Sequence, residues 1–254
     1  MDIVYKEIAA PDEKQLSVIA GLWSEAFGDG EDFILDFYEN MPVEFTSCIF
    51  YEEDLAAMAV ILSVGEGYYG YAVATKKAYR KRGLCRELFS RIRERCEREE
   101  RELFIHPADE GLSLFYRRLG FFEVLSSYEV KTASYPIAPV RRLMPFEYFR
   151  IRDLYFGGSS YYPWSTEALS FMEKNGIAYY GAYIDGEECA AAVADGVIIE
   201  LCAPEYSCGK ACSAFLQEVG SFGTVRFLTP ASHGGDCAVM SLSGKDAYFN
   251  LFFE

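Results

Sequence analysis

The stretch "YAVATKKAYRKRGLCRELFSRI", Tyr71–Ile92, sets the reading of the whole chain. It opens as a strand, since "YYGYAVAT" is rich in β-branched and aromatic residues. It closes as a helix. Leu84, Leu88, Ile92 and Cys96 recur four apart, with Cys85 and Phe89 beside them, and Arg and Glu fill the opposite face. Between the two lies a loop that sets Arg80, Lys81, Arg82 and Arg86 around the single glycine Gly83. The first amides of a helix have no internal acceptors, and the helix dipole adds partial positive charge there. A glycine at that point lets the backbone approach an oxyanion or adopt positive φ. Strand, glycine loop and helix N-terminus therefore form a site for a phosphate, and the basic side chains supply charge-assisted donors.

The surrounding charge sharpens that reading. The 254-residue chain carries a formal charge of −15, yet Lys76–Arg101 holds eleven basic and five acidic residues, leaving −21 on the remainder. So acidic a body repels a nucleic-acid backbone and attracts cations, so nucleic acid is not expected as a partner. A confined basic patch on it suits a small anionic ligand.

Half the residues are hydrophobic, enough for a sizeable core. The start, "MDIVYKEIAA", lacks a basic segment followed by an apolar one, and the longest apolar run, Leu55–Val64, is too short to span a bilayer. The expectation is a soluble cytoplasmic protein without a membrane partner. Eight cysteines stand singly, mostly within apolar runs, as free thiols do in a reducing compartment. Cys202, Cys208, Cys212 and His233 match no zinc spacing, and no metal is expected.

Outward from the loop, the pattern alternates. "IVYKEI" reads as a strand, helices are expected over Glu13–Phe27 and Asp32–Asn40, and "FTSCIFYEEDLAAMAVILSV" is two strands across an acidic turn at Glu52–Asp54. "RELFIHP" is a further strand, "GLSLFYRRLG" a short helix closed by Gly120, and "FFEVLSSYEVKTA" one bent strand or two short ones. "SYPIAPVRRLMP", with three prolines, marks a linker or edge crossing.

Beyond that stretch the pattern starts again. Ile198–Val219 lies over Tyr71–Ile92 without a gap at an offset of 127, Phe227–Ala231 lies over Phe104–Ala108, and "YIDGEECAAAV" lies over "FYEEDLAAMAV". Three segments in one order indicate an internal duplication, with domains over residues 1–134 and 135–254. In the second copy Ser207 matches Arg80 and Lys210 matches Gly83, so the phosphate loop is lost.

Arg80-Lys81-Arg82-Gly83-Leu84-Cys85 resembles the signature of the GNAT superfamily of acetyl-CoA-dependent N-acyltransferases: Arg or Gln, two residues, Gly, one residue, Gly or Ala. "FYRRLGF", Phe115–Phe121, resembles the Tyr-bearing turn that often follows about thirty residues later. The resemblance covers roughly residues 1–130. It implies an α/β (α+β) architecture of two GNAT-like domains, each a mixed, mostly antiparallel sheet flanked by helices, the second degenerate. It implies acetyl-CoA as co-substrate. Loop residues Arg80, Lys81, Arg82, Gly83, Leu84, Cys85 and Arg86 would hold the pyrophosphate, and Val73 and Thr75 would offer backbone groups to the pantetheine. Tyr116 would protonate the departing thiolate, a role a phenol can fill in a dry site. Cys85 stands where a smaller residue is usual, Lys77 where a proline is common, and Asp109 where an asparagine often bonds the pantetheine.

The acceptor implied is a primary amine on a small molecule or a peptide, attacking the thioester directly through a tetrahedral oxyanion stabilised by a strand amide. Candidates for the general base are the acids of "FGDGEDFILDFYE" (Asp29, Glu31, Asp32, Asp36 and Glu39), together with Glu200, His106 and the terminal carboxylate at Glu254. The aromatic run Leu154–Ser165 either lines a cleft or packs as core. Two other readings stay open: a non-catalytic acyl-CoA-binding or interaction protein, and an acyltransferase with a different acyl donor.

Overall fold

The computed structural model describes residues 3–131, 138–157, 161–220, 224–230 and 236–244. They form two compact units. The first takes in the described residues to Phe122 together with Met240–Gly244, and the second those from Glu123 to Val239.

In the first unit the chain runs β1 (Ile3–Ile8), α1 (Glu13–Phe27), α2 (Glu31–Asn40), β2 (Val43–Tyr51), β3 (Asp54–Val64), β4 (Gly67–Thr75), α3 (Leu84–Glu99), β5 (Leu103–Ile105) and α4 (Glu110–Arg118). Strands β1 to β4 pair antiparallel in order, and β5 joins β4 in parallel after the α3 crossover. Strand β3 is buried from Leu55 to Leu62 without alternation. Both α1 and α3 pack on it, so one helix covers each face, as a doubly buried strand requires.

Local chemistry fixes the element ends. Asp12 caps α1 in a reciprocal box with Gln15, and Gly28 closes it in the left-handed region. The expected stripe of α3 is the one observed: Leu84, Leu88, Phe89, Ile92 and Cys96 are buried. Arg95, on the same helix, lies 3.9 Å above the Phe45 ring and reaches Glu7 and Glu99, tying helix to sheet.

The second unit holds β6 (Phe122–Lys131), β7 (Val140–Arg142), α5 (Pro145–Phe156), α6 (Thr166–Lys174), β8 (Ala178–Ile184), β9 (Glu187–Ala194), β10 (Val197–Cys202), α7 (Cys208–Glu218), β11 (Thr224–Pro230) and β12 (Asp236–Ser241). From β7 onward this repeats the first unit's succession, ending in a parallel β10–β11 pair. "FEVLSSYEVK" is thus one long strand, β6, antiparallel to β11.

Two strands change places between the units. Strand β6 follows α4 in sequence but pairs with β11, whereas Met240 and Ser241 of β12 pair with Ile105 and Phe104 of β5. Leu242 and Ser243 continue the attachment by donating to the Leu103 carbonyl and to Glu102 Oε1. Each unit therefore contains a strand segment from the other stretch of the chain, and no single cut in the sequence separates them.

The second unit's core contains an ion pair. Arg152 of α5 is fully buried, donating to both oxygens of Glu200 on β10 at 2.7 and 3.2 Å and to Tyr161 Oη at 2.7 Å. Tyr148 donates to the same carboxylate and stacks on Tyr179 at 4.4 Å. Trp164 is buried in this unit too, so Tyr161 and Trp164 of the aromatic run serve as core.

Candidate acyl-transfer site

The site begins with an irregularity in β4. Ala74 opposes Met58 and Tyr71 opposes Val60, so Ala72 and Val73 share one partner position in a bulge. Ala72 holds φ 46°, a conformation costing an alanine roughly 1 kcal/mol or more, fixed by ladder bonds on either side. The parallel pairing to β5 stops just before it, at Gly70↔Ile105. From Tyr71 to Thr75, then, β4 has no partner on β5, and Val73 and Thr75 in this stretch are half-buried.

At the end of β4 the chain makes a short 3-10 turn (Lys77–Tyr79) and enters the loop. Lys81 at φ 64° and Gly83 at φ 79° turn the backbone into α3. No side chain caps α3, and space beside Gly83 is open where a Cβ would project. The first-turn amides of α3 therefore have no capping side chain among the described residues. Tyr79 and Lys76 anchor the loop on Asp54, at 3.1 Å and at 2.7 and 2.9 Å. Hydrogen bonding from Lys76 holds the Asp54 carboxyl below its usual range, and the same contact raises Lys76.

The basic side chains divide. Arg82 lies over Tyr51 and Tyr79, at 5.6 and 5.3 Å, and Arg80 donates from Nε to the Thr75 carbonyl at 3.0 Å. Lys81 and Arg86 are exposed. The Leu84 side chain is in the core, so only its backbone faces the site. Asp109 Oδ1 caps α4 by accepting from the Leu112 amide at 2.7 Å; the carboxylate serves the helix.

Tyr116 is buried on α4, its ring edge-on to Phe89 and Phe121 at 5.6 and 5.8 Å. Burial, and then nearby Cys85, push its phenol pKa up, so it stays protonated at neutral pH. Burial also pushes the Cys85 thiol up to about 12, leaving it a neutral group. On β4, the phenol of Tyr69 is raised by burial and then by Tyr71 and Tyr116.

Sequence reasoning did not single out Tyr69 and Tyr71, although "YYGY" puts both on one strand face. Of the base candidates, Glu200 is buried in the second unit's ion pair, and Glu254 lies outside the described residues. His233 lies outside them as well.

An uncapped helix start, a glycine with positive φ, a strand end without a β5 partner and a buried phenol are the groups a CoA thioester would call on. Residues 15–121 match the model of the acetyltransferase (GNAT) family. That match spans most of the first unit. No curated protein matches the chain. Among solved structures, a probable N-acyltransferase of unknown function from Enterococcus faecalis V583 superposes with TM-score 0.67 at 13% identity, over 96% of this chain and 74% of that one. A putative acetyltransferase from Pyrococcus horikoshii gives 0.62 at 15%, over 94% and 89%. A tandem GNAT protein from the clavulanic acid biosynthesis pathway gives 0.57 at 12%, over 94% and 97%. These likenesses extend across both units and establish the fold: two GNAT-like units, as the internal repeat implied.

The second unit keeps the scaffold and closes the site. Strand β10 is bulged between Ile198 and Glu200, the counterpart of the β4 bulge at the offset of 127. Tyr206 bonds Glu187 as Tyr79 bonds Asp54. But α7 starts at Cys208, three positions before the counterpart of Leu84, and so absorbs the segment that forms the loop in the first unit. Cys208 has helical φ and ψ where Lys81 has positive φ. Lys210 and Ser207 both bond Asp185, at 2.7 and 3.0 Å.

Proposed function

We propose that the first unit transfers an acetyl group from acetyl-CoA to a primary amine. The uncapped start of α3, with Gly83 at positive φ after a β4 end that has no β5 partner, carries the reading. The amides of Gly83 to Arg86 hold the pyrophosphate, with Lys81 and Arg86 adding charge from the rim. The backbone of Val73 and Thr75 bonds the pantetheine arm as an added strand; Arg80 must release the Thr75 carbonyl for that purpose. A CoA thioester supplies the activated acyl carbon. Tyr116 gives its proton to the leaving sulfur, and Phe89 and Phe121 exclude water around the transfer. Seven free thiols among the described residues suit a cytoplasmic setting. No helix among the described residues is long and apolar enough to cross a membrane.

Calorimetric titration of acetyl-CoA tests this, run beside the Arg80→Ala/Gly83→Asp variant. One site per chain, lost in the variant, is expected. Two sites contradict the closed second unit, and absence of binding removes the reading.

A further inference from the structure

We propose that Asp29 docks the ammonium group of the acceptor and takes its proton, so that the acceptor is a primary amine on an apolar or aromatic body. The proposal rests on the acetyl-transfer reading of the first unit.

Asp29 sits between two glycines in the short link from α1 to α2, held on both sides. Trp23 Nε1 donates to its Oδ2 at 2.7 Å, and Ser24 Oγ donates to its carbonyl at 2.7 Å. Its other carboxylate oxygen accepts from no described residue, and the side chain is half-buried. An indole N–H is a neutral donor and brings no charge of its own to the carboxylate.

Its surroundings are aromatic. Tyr71 lies edge-on to Trp23 at 5.6 Å and stacks on Phe37 at 5.0 Å, and Phe33 packs beside Phe37. The Tyr71 phenol is raised first by burial and next by the Asp29 charge. Tyr71 is also the residue at which β4 leaves β5. An arm entering along Thr75 and Val73 has its acyl end at Tyr71, and Asp29 then faces it from the α1–α2 side. Tyr69 lies 6.0 Å from Tyr71, ring to ring, and Tyr116 adds to the upward shift of its phenol, so Tyr71 and the thiolate acid are both neighbours of one buried residue of β4.

The field agrees. From Gln15 to Thr75 there is no lysine, arginine or histidine, while eleven acidic residues occur. This stretch, which forms the α1–α2 wall, attracts a cation and repels an anion. Other acids of the wall are less suited: Glu31, Asp32 and Glu39 are exposed, and Asp36 Oδ1 accepts from Asn40.

The protons balance. The ammonium loses one proton to Asp29, and the freed lone pair forms the C–N bond. The C–S bond breaks, the sulfur takes the Tyr116 proton, and the second nitrogen proton returns to the phenolate. Asp29 releases its proton to solvent.

The probes are primary arylalkyl and alkyl amines, 2-phenylethylamine among them, each paired with the alcohol of the same shape. The proteins are wild type and Asp29→Asn, whose amide oxygen still accepts from Trp23. Wild type with CoA bound is expected to bind an amine roughly tenfold or more above its alcohol, and Asp29→Asn to lose that preference. Turnover of the amine should fall about a hundredfold or more, with acetyl-CoA affinity unchanged. If wild type binds acetyl-CoA but prefers no amine, or if the variant stays within threefold of wild type, the assignment of Asp29 is overturned and the acetyl-transfer reading stands. If wild type binds no acetyl-CoA, both are overturned.

Discussion

Replacing Gly83 separates binding from stability. Aspartate there meets no atom within 4 Å of its Cβ, so there is no clash, only the cost of φ 79° for an L-residue. That cost is roughly 1 kcal/mol. A carboxylate at a helix N-terminus returns about 0.3–1 kcal/mol through the dipole, so the net change in stability is close to zero. Toward a phosphate the same group acts oppositely. At about 4 Å, two unit charges repel by ~1 kcal/mol in water and ~4 kcal/mol at the effective dielectric of a protein surface. Acetyl-CoA affinity should therefore fall between about fivefold and a thousandfold, from charge alone. Gly83→Ala carries the strain without the charge and should lose tenfold at most. The assay is calorimetric titration of acetyl-CoA with a thermal melt of each protein. An Asp variant that binds like wild type refutes the placement of the phosphates at this loop. Equal losses in Ala and Asp would instead put the whole effect in the backbone.

Tyr116→Phe keeps the ring between Phe89 and Phe121, so melting and acetyl-CoA affinity should hold while kcat falls about a hundredfold or more; unchanged kcat, with binding intact, would favour a CoA-binding protein without turnover. Arg152→Met strands the buried Glu200 and should destabilise the second unit by about 3–5 kcal/mol in urea titration, whereas Arg152→Met/Glu200→Leu should recover much of it; a double variant no better than the single would refute that account. Asp54 titrates below its usual pKa when folded, so its stabilisation is complete above the unfolded value and is lost as pH falls through the lower folded one. Below about pH 4 wild type should therefore lose a small, salt-screened advantage over Asp54→Asn, read as converging melting temperatures.

What the sequence disclosed was whatever local periodicity encodes. The α3 stripe, the hairpin over Glu52–Asp54 and the glycine of the loop each follow from spacing within about fifteen residues. The bulge at Ala72 left no mark, because alanine gives no signal of positive φ and only the β3 pairing imposes it. Asp109 was legible as a polar residue near the site, but its cap role depends on where α4 starts. The Trp23–Asp29 bond was hidden because Asp29 was one acid among many, and the bond needs the chain reversal at Gly28. The change of places by β6 and β12 is a pairing across 93 to 137 residues, which no local pattern records.

That change of places has a genetic consequence. Ser241 is fully buried in the first unit's sheet, and the neighbouring backbone bonds reach Glu102 and Leu103. A stop codon anywhere in the 120 or so codons ahead of Met240 would strip β5 of its β12 partner while leaving every residue of the phosphate loop and of α4 translated. Truncations in the half that has no loop should therefore destabilise the half that has it.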